Sequence, residues 1–430
     1  MYYYSLNRQS PDVDFKEATI RGQAPDKGLY FPVQLPKLSQ SFINQLGKMN
    51  KNELAYEIMQ PYVGNTIEKK ALRQIVEEAV DFSFPLVHIN DQVSALELFH
   101  GPTLAFKDVG ARFMSRCLGY FSKDQHKKNT VLVATSGDTG GAVANGFLGV
   151  EAVEVIILYP SGKVSPVQEL QLTTCGQNIT ALEIKGSFDD CQAMVKDAFM
   201  DTDLQQRLQL TSANSINVAR WLPQQLYYFF AWQQWSDKEH PPVISVPSGN
   251  FGNICAGLLA RYAGLPVKSF IAACNINDTV TQYLKTGIHT ARPTVPTLSN
   301  AMDVGNPSNL IRIMELFEKE GLAVSTVLKS AAVTDEETLQ CINQVYKAYG
   351  YLMDPHGAVA YKALEKTLPD DSKGIILETA HPIKFPDTVK TATGQEPEIP
   401  DAILPLFSAK KKSLVMEASF ASLKEWLLNK

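Results

Sequence analysis

The chain has 430 residues, 45% of them hydrophobic and 20% charged, and a formal net charge of −5. That length exceeds one ordinary core, so two or three domains are expected, and the composition is that of a globular chain, not a disordered one. The weak negative charge excludes a strongly basic nucleic-acid binder, and the Lys410-Lys-Lys412 triplet reads as a solvated face.

The first residues, Met1-Tyr-Tyr-Tyr-Ser-Leu-Asn-Arg8, lack the charged region and apolar core of a signal peptide. No apolar run approaches the roughly eighteen residues that a membrane span needs. The cysteines, Cys117, Cys175, Cys191, Cys255, Cys274 and Cys341, show no paired spacing. They read as reduced packing residues of a cytoplasmic protein, with no structural metal.

In chain order, residues 1–91 read as a helical cap region, with helices expected at Phe15–Arg21, Glu53–Met59 and Lys70–Asp81. Strands then alternate with helices, the signature of parallel α/β layers. Strands are expected at Thr130–Ala134, Glu154–Tyr159, Ile179–Ile184, Val243–Val246, Ser269–Ala273 and Gly374–Glu378. Helices are expected at 140–148, Ser165–Cys175, Phe188–Met200, Ile254–Ala263, Leu310–Glu320, Asp335–Tyr349, His356–Leu368 and Ala418–Leu428. One long amphipathic helix is expected over Ile216–Trp235, followed by a polar break at Ser236–Pro242. The implied domains are 1–91, a large α/β unit of 92–128 with 236–430, and a small α/β unit of 129–235.

Chemistry concentrates in a few stretches. In Glu97-Leu-Phe-His-Gly-Pro-Thr-Leu-Ala-Phe-Lys-Asp108, His-Gly-Pro stops a strand and a helix is expected from near Thr103. Lys107 then lies in the helix's first turn, where a cation is disfavoured; held among apolar neighbours it would favour the neutral amine, and a solvated lysine fits this stretch equally. The turn Thr135-Ser-Gly-Asp-Thr-Gly-Gly141 joins a strand to a helix and lets backbone approach an anion. It also reads as an ordinary capped turn, with Ser136 and Asp138 bonding locally. Ser248-Gly-Asn-Phe-Gly-Asn253 has the same context, and its N–H groups could wrap a phosphate; a plain glycine turn fits equally. Asn214 or Ser215 could cap the long helix, with Asn217 and Arg220 on one face of its first turn as a second anion site; by itself the stretch reads better as a capping box with one solvated arginine. Thr379 stands at the carboxyl end of a strand, where ligands of open α/β sheets sit. His356 and His381 read as structural.

Amine, phosphate cup, carboxylate turn and strand-end hydroxyl together suit pyridoxal phosphate. The motif His100-Gly-Pro-Thr-Leu-Ala-Phe-Lys-Asp108, with the Gly22–Pro32 pattern before it, resembles the threonine synthase family of fold-type II pyridoxal phosphate enzymes. The resemblance covers nearly the whole chain. It implies a tryptophan synthase β-like fold, with two three-layer α/β/α lobes and an N-terminal mostly helical domain. It implies that Lys107 is the Schiff-base lysine and that Gly249, Asn250, Phe251, Gly252 and Asn253 hold the cofactor phosphate. Thr379 would face the ring nitrogen and Asp138 the ring hydroxyl. Thr135, Ser136 and Thr139 would grip the substrate carboxylate, and Asn214, Ser215 and Arg220 the substrate phosphate. Many fold relatives carry asparagine where this chain has Asp138, and a carboxylate beside a phenolic oxygen needs a shared proton or a water. The activity implied is conversion of O-phospho-L-homoserine and water to threonine and phosphate by a monomer, possibly a dimer, without nucleic acid, membrane or metal. Two other readings remain at this level: a serine/threonine dehydratase, which needs no second anion site, and a pyridoxal phosphate-fold binding protein without catalysis.

Overall fold

Aliphatic and β-branched runs form strands buried on both faces, as in Val243–Pro247 and Asn129–Ala134, and strands of that kind require helices above and below them. The computed structural model describes residues 1–123 and 128–430, so the expected boundary near 128 adjoins four residues outside the described ones. A six-stranded sheet has the order Leu328–Ala332, Ser269–Cys274, Val243–Pro247, Gly374–Glu378, Val93–Glu97, Leu86–His88. All its neighbours are parallel except the last pair. A five-stranded sheet, parallel throughout, has the order Ser413–Glu417, Ile179–Lys185, Val153–Pro160, Asn129–Ala134, Gln209–Ser212.

Register decides what the strand ends bring together. Glu97 pairs with Glu378, so the Lys107 loop and Thr379 leave the large sheet side by side. The Phe106 N–H then donates to the Thr379 carbonyl at 2.9 Å, and Ala105 forms an antiparallel bridge to Ala380. In the small sheet Leu132 pairs with Ser212, so the turns after Ala134 and Ser212 also emerge together. Asn214 Nδ2 donates to the Ala134 carbonyl at 3.2 Å.

Four expectations are corrected. The N-terminal region also carries a three-stranded antiparallel sheet, with Tyr2–Ser5 between Val13–Asp14 and Tyr30–Pro32. The single helix over 216–235 is instead a helix at Val218–Trp221, a 3-10 turn at Leu222–Gln225 and a helix at Leu226–Gln234. Pro223 lacks an N–H for a continuous ladder, and residues 226–232 are buried all round instead of amphipathic. Asn217, not Asn214 or Ser215, caps the first piece, its Oδ1 accepting from the Ala219 N–H at 3.0 Å. Finally, Ser413–Glu417 pairs with Ile179–Lys185, and the helix Phe420–Asn429 packs on Phe188–Met200. The end of the chain therefore joins the small sheet, although 236–430 was expected in the large unit.

The N-terminal unit is keyed to the site by Arg312, which is fully buried. Its guanidinium donates to the carbonyls of Tyr30 at 3.0 Å, Ser215 at 3.0 Å and Ile216 at 2.5 Å, and to Asn309 Oδ1 at 2.7 Å. It also stacks over Trp221, at 4.8 Å from the ring centre. Burial pulls its pKa down to about 9, and only dense donation to carbonyls makes such a cation tolerable. Arg312→Ala leaves three carbonyls unpartnered beside a cavity and should cost about 3 kcal/mol or more in urea denaturation. A loss below about 1 kcal/mol would contradict this reading.

Candidate active site

Lys107 opens the helix Lys107–Ser122 one turn later than expected, because residues 103–106 form a tight turn. Leu104 there has φ of +57°, a left-handed backbone that costs energy for a branched side chain. Asp108 stabilises the turn: its carboxylate accepts the Thr103 N–H at 2.9 Å and, in a short bond, the Thr103 hydroxyl. Gly101 permits this, since a Cβ there would lie 2.4 Å from Asp108 Oδ2. The Tyr227 hydroxyl donates to the Phe106 carbonyl from the other side. Asp108 thus braces the turn.

The Lys107 side chain is 15% exposed, and its Nζ lies 3.6 Å from Asp138 Oδ2. Burial lowers its pKa first; Asp138 opposes this, while Lys384 and Arg220 lower it further. Asp138 begins the helix Asp138–Phe147 of the small sheet. Its Oδ1 accepts from Lys384 Nζ at 2.7 Å and from Gln168 Nε2 at 2.9 Å. Burial alone would raise the Asp138 carboxyl, but Lys384 and then Lys107 outweigh it and hold the group ionised. Lys384 is fully buried, and its Nζ also donates to the Thr103 carbonyl at 2.9 Å. Sequence reading missed it: its only signal is a lysine among apolar residues in Ala380-His-Pro-Ile-Lys-Phe-Pro386, just past a strand end.

The turn Ser248–Asn253 meets the helix Gly252–Ala263, which has no side-chain cap at its start. Phe251 adopts φ of +60° there. The turn is pressed against residues 300–302: a Cβ on Gly249 would lie 2.7 Å from Met302 Cα and 2.8 Å from the Ala301 carbonyl oxygen. Those residues are held by His356, whose Nε2 accepts the Ala301 N–H at 3.2 Å while its Nδ1 donates to Asp354 at 2.5 Å. His356 is therefore structural. So is His381, whose Nδ1 accepts the Ile383 N–H and whose burial lowers its pKa to about 4.

The two loops expected to hold separate anions touch. Ser215 Oγ accepts from Asn250 Nδ2 at 2.7 Å and from Asn309 Nδ2 at 3.1 Å. Arg220 is buried, with its pKa lowered to about 10 by desolvation. One of its nitrogens donates to the Ala213 carbonyl, while its Nε has no partner. Asn217 is removed from any ligand role: its Nδ2 donates to the carbonyls of Thr19 and Ser212 at 2.9 and 3.1 Å. Thr135 is also spent within its turn, its Oγ1 accepting the N–H groups of Gly137 and Gly140 at 2.9 and 2.8 Å.

A buried amine beside a carboxylate, in a fold that also presents a bare helix N-terminus after a strand of the parallel sheet, suits a phosphate-bearing carbonyl cofactor. Residues 87–377 match the family described as "Pyridoxal-phosphate dependent enzyme", residues 2–80 "Threonine synthase N terminus" and residues 357–427 "Threonine synthase, C-terminal". The chain belongs to the threonine synthase family. It is 44% identical over 429 residues to the threonine synthase of Serratia marcescens, covering 100% of this chain and 99% of that one. The crystal structure of threonine synthase from Escherichia coli superposes with a TM-score of 0.95 at 43% identity, covering 100% of both chains. A threonine synthase from Brucella melitensis, described as PLP bound, gives 0.92 at 35% identity over 100% of this chain and 99% of that one. As in other members of the family, the cofactor is pyridoxal phosphate.

The residues present fit that group. The cradle at Gly249 has no room for a side chain, the helix start is uncapped, and the buried Asn253 Nδ2 has no partner. Among the described residues no helix is long and apolar enough to cross a membrane. Gly249→Ala should therefore leave the fold intact by circular dichroism but lower pyridoxal phosphate retention by about tenfold or more, read as absorbance after dialysis. Wild-type retention would show that the cradle lies elsewhere.

Proposed function

We propose that this chain converts O-phospho-L-homoserine and water to L-threonine and phosphate. The supporting observation is a buried arginine with an unpartnered Nε, Arg220, a little past the Ser215 hydroxyl that meets Asn250 of the cofactor cradle, in a chain that matches threonine synthases end to end. Bound pyridoxal phosphate supplies an electron sink for the charge left when the carbon bearing the substrate amine loses a proton.

The chain's own residues do the rest. The backbone N–H groups of Gly249, Asn250, Phe251, Gly252 and Asn253 hold the cofactor phosphate. Thr379 would meet the ring nitrogen, and as a neutral group its hydroxyl would leave that nitrogen without a strong counter-charge. Ser136 and Thr139 receive the substrate carboxylate, with the turn shaped for them by Thr135. The Lys107 amine, whose neutral form burial favours, takes a proton from the α-carbon and later returns one. Asn214, Ser215 and Arg220 hold the substrate phosphate and receive it when the γ-carbon–oxygen bond breaks. One water adds at the β-carbon for each phosphate released. Every residue of this set lies in one chain, and we take a cytoplasmic monomer as the acting unit.

Purified enzyme given O-phospho-L-homoserine should release phosphate and threonine in equal amounts, and Lys107→Ala should abolish both. Arg220→Ala should lower kcat/KM for that substrate by roughly 10- to 100-fold, the effect of a charged hydrogen bond of about 1.5–3 kcal/mol. A 2-keto acid product with no phosphate requirement would favour a dehydratase. Full activity of Lys107→Ala would remove the reading altogether.

A further inference from the structure

We infer that Lys384 is a positioning residue for the reaction: its ammonium takes the Asp138 carboxylate from within the protein and so keeps the Lys107 amine from being locked as an ion pair. The inference rests on Lys107 being the lysine that engages the cofactor. The contacts around Asp138 are unequal. Its Oδ1 is filled by Lys384 at 2.7 Å and Gln168 at 2.9 Å, while Oδ2 stands 3.6 Å from Lys107 Nζ, beyond hydrogen-bond length. One carboxylate thus faces two lysines, and the closer partner is the fully buried one.

Lys384 also donates to the Thr103 carbonyl at 2.9 Å, which Gln171 Nε2 shares at 3.0 Å. That carbonyl belongs to the turn that carries Lys107, whereas Asp138 and Gln171 belong to helices of the small sheet. A single ammonium therefore fixes the height of the Lys107 turn against the opposite lobe and balances the carboxylate that stands 3.6 Å from the Lys107 amine. The other charged groups do not supply a counter-ion. Asp108 is spent on Thr103, Arg220 is a cation, Tyr227 donates to Phe106, and His356 faces Asp354. With Lys384 holding Asp138, Lys107 has no unshared anion, and burial favours its neutral form.

The test is competitive acetylation of the full-length chain, first freed of pyridoxal phosphate so that the Lys107 amine is not engaged, with acetic anhydride over a pH series, read by peptide mass spectrometry. In wild type, Lys107 should titrate below the usual lysine value of about 10.4, and Lys384 should stay unreactive throughout. In Lys384→Met the Asp138 charge falls to Lys107 alone, and the Lys107 midpoint should rise by about one unit, a tenfold change in neutral amine. In Asp138→Asn/Lys384→Met both charges are gone, and the midpoint should return to the wild-type value.

An unmoved midpoint in folded Lys384→Met overturns the inference. So does a double variant whose midpoint falls far below wild type, since Asp138 would then act on Lys107 without Lys384. If Lys384→Met does not fold, the double variant decides, because removing both members of a buried pair strands no charge. An ordinary lysine midpoint in wild type overturns it with no variant at all. Inactivity towards O-phospho-L-homoserine would instead strike the functional reading and leave these midpoints untouched.

Discussion

The structure turns on one buried ion pair, Lys384 with Asp138, set where the two parallel sheets present their carboxyl ends to each other. Neither side chain reaches solvent to any useful degree, at 0% and 3% exposure. In such surroundings a lone carboxylate or ammonium is costly, and a pair with its remaining valences filled is tolerable. Gln168 and the Thr103 carbonyl fill those valences. The pair therefore needs the two lobes at one separation, with the Lys107 amine 3.6 Å from the shared carboxylate.

Around this pair the backbone is held in conformations it would not choose by itself. Leu104 and Phe251 both have left-handed φ, one just before Lys107 and the other at the head of the cradle helix. Strain of this kind persists only where neighbours over-determine it, and here the neighbours are identifiable. Asp108 and Tyr227 brace the first turn, and residues 300–302, held by His356, brace the second. The N-terminal unit contributes in the same way: Arg312 reaches the Tyr30 carbonyl and the Ser215–Ile216 carbonyls at once. Its role in the site is mechanical, fixing the turn from which Ser215 and Arg220 project.

Most of the sheet framework was legible because its signals are local. Gly374–Glu378 and Ile179–Lys185 are short β-branched or aliphatic runs between turns, and Phe188–Met200 and Asp335–Tyr349 carry helical spacing with side-chain caps. Three of the strands that escaped notice, Gln209–Ser212, Leu328–Ala332 and Ser413–Glu417, are edge strands of the two larger sheets with few large apolar residues facing inward. Their pairing is set by partners far along the chain. Lys107, Thr379 and the Gly249–Asn253 turn stood out because each combines an unusual residue with a strand or helix end. Lys384 and Arg312 did not, since a buried cation in sequence looks like any other lysine or arginine. Only the distant carboxylate and carbonyls that they reach explain them. Asp138 read as a departure from fold relatives, and its tolerance here follows from Lys384.

Two buried lysines face one carboxylate in this site, and the account requires that the cofactor engage Lys107 and not Lys384. Reducing the protein with borohydride in the presence of pyridoxal phosphate and sequencing the labelled peptide by mass spectrometry asks this directly. One cofactor mass is expected on Lys107, with Lys384 unmodified. Label on Lys384, or none on either lysine, would contradict it.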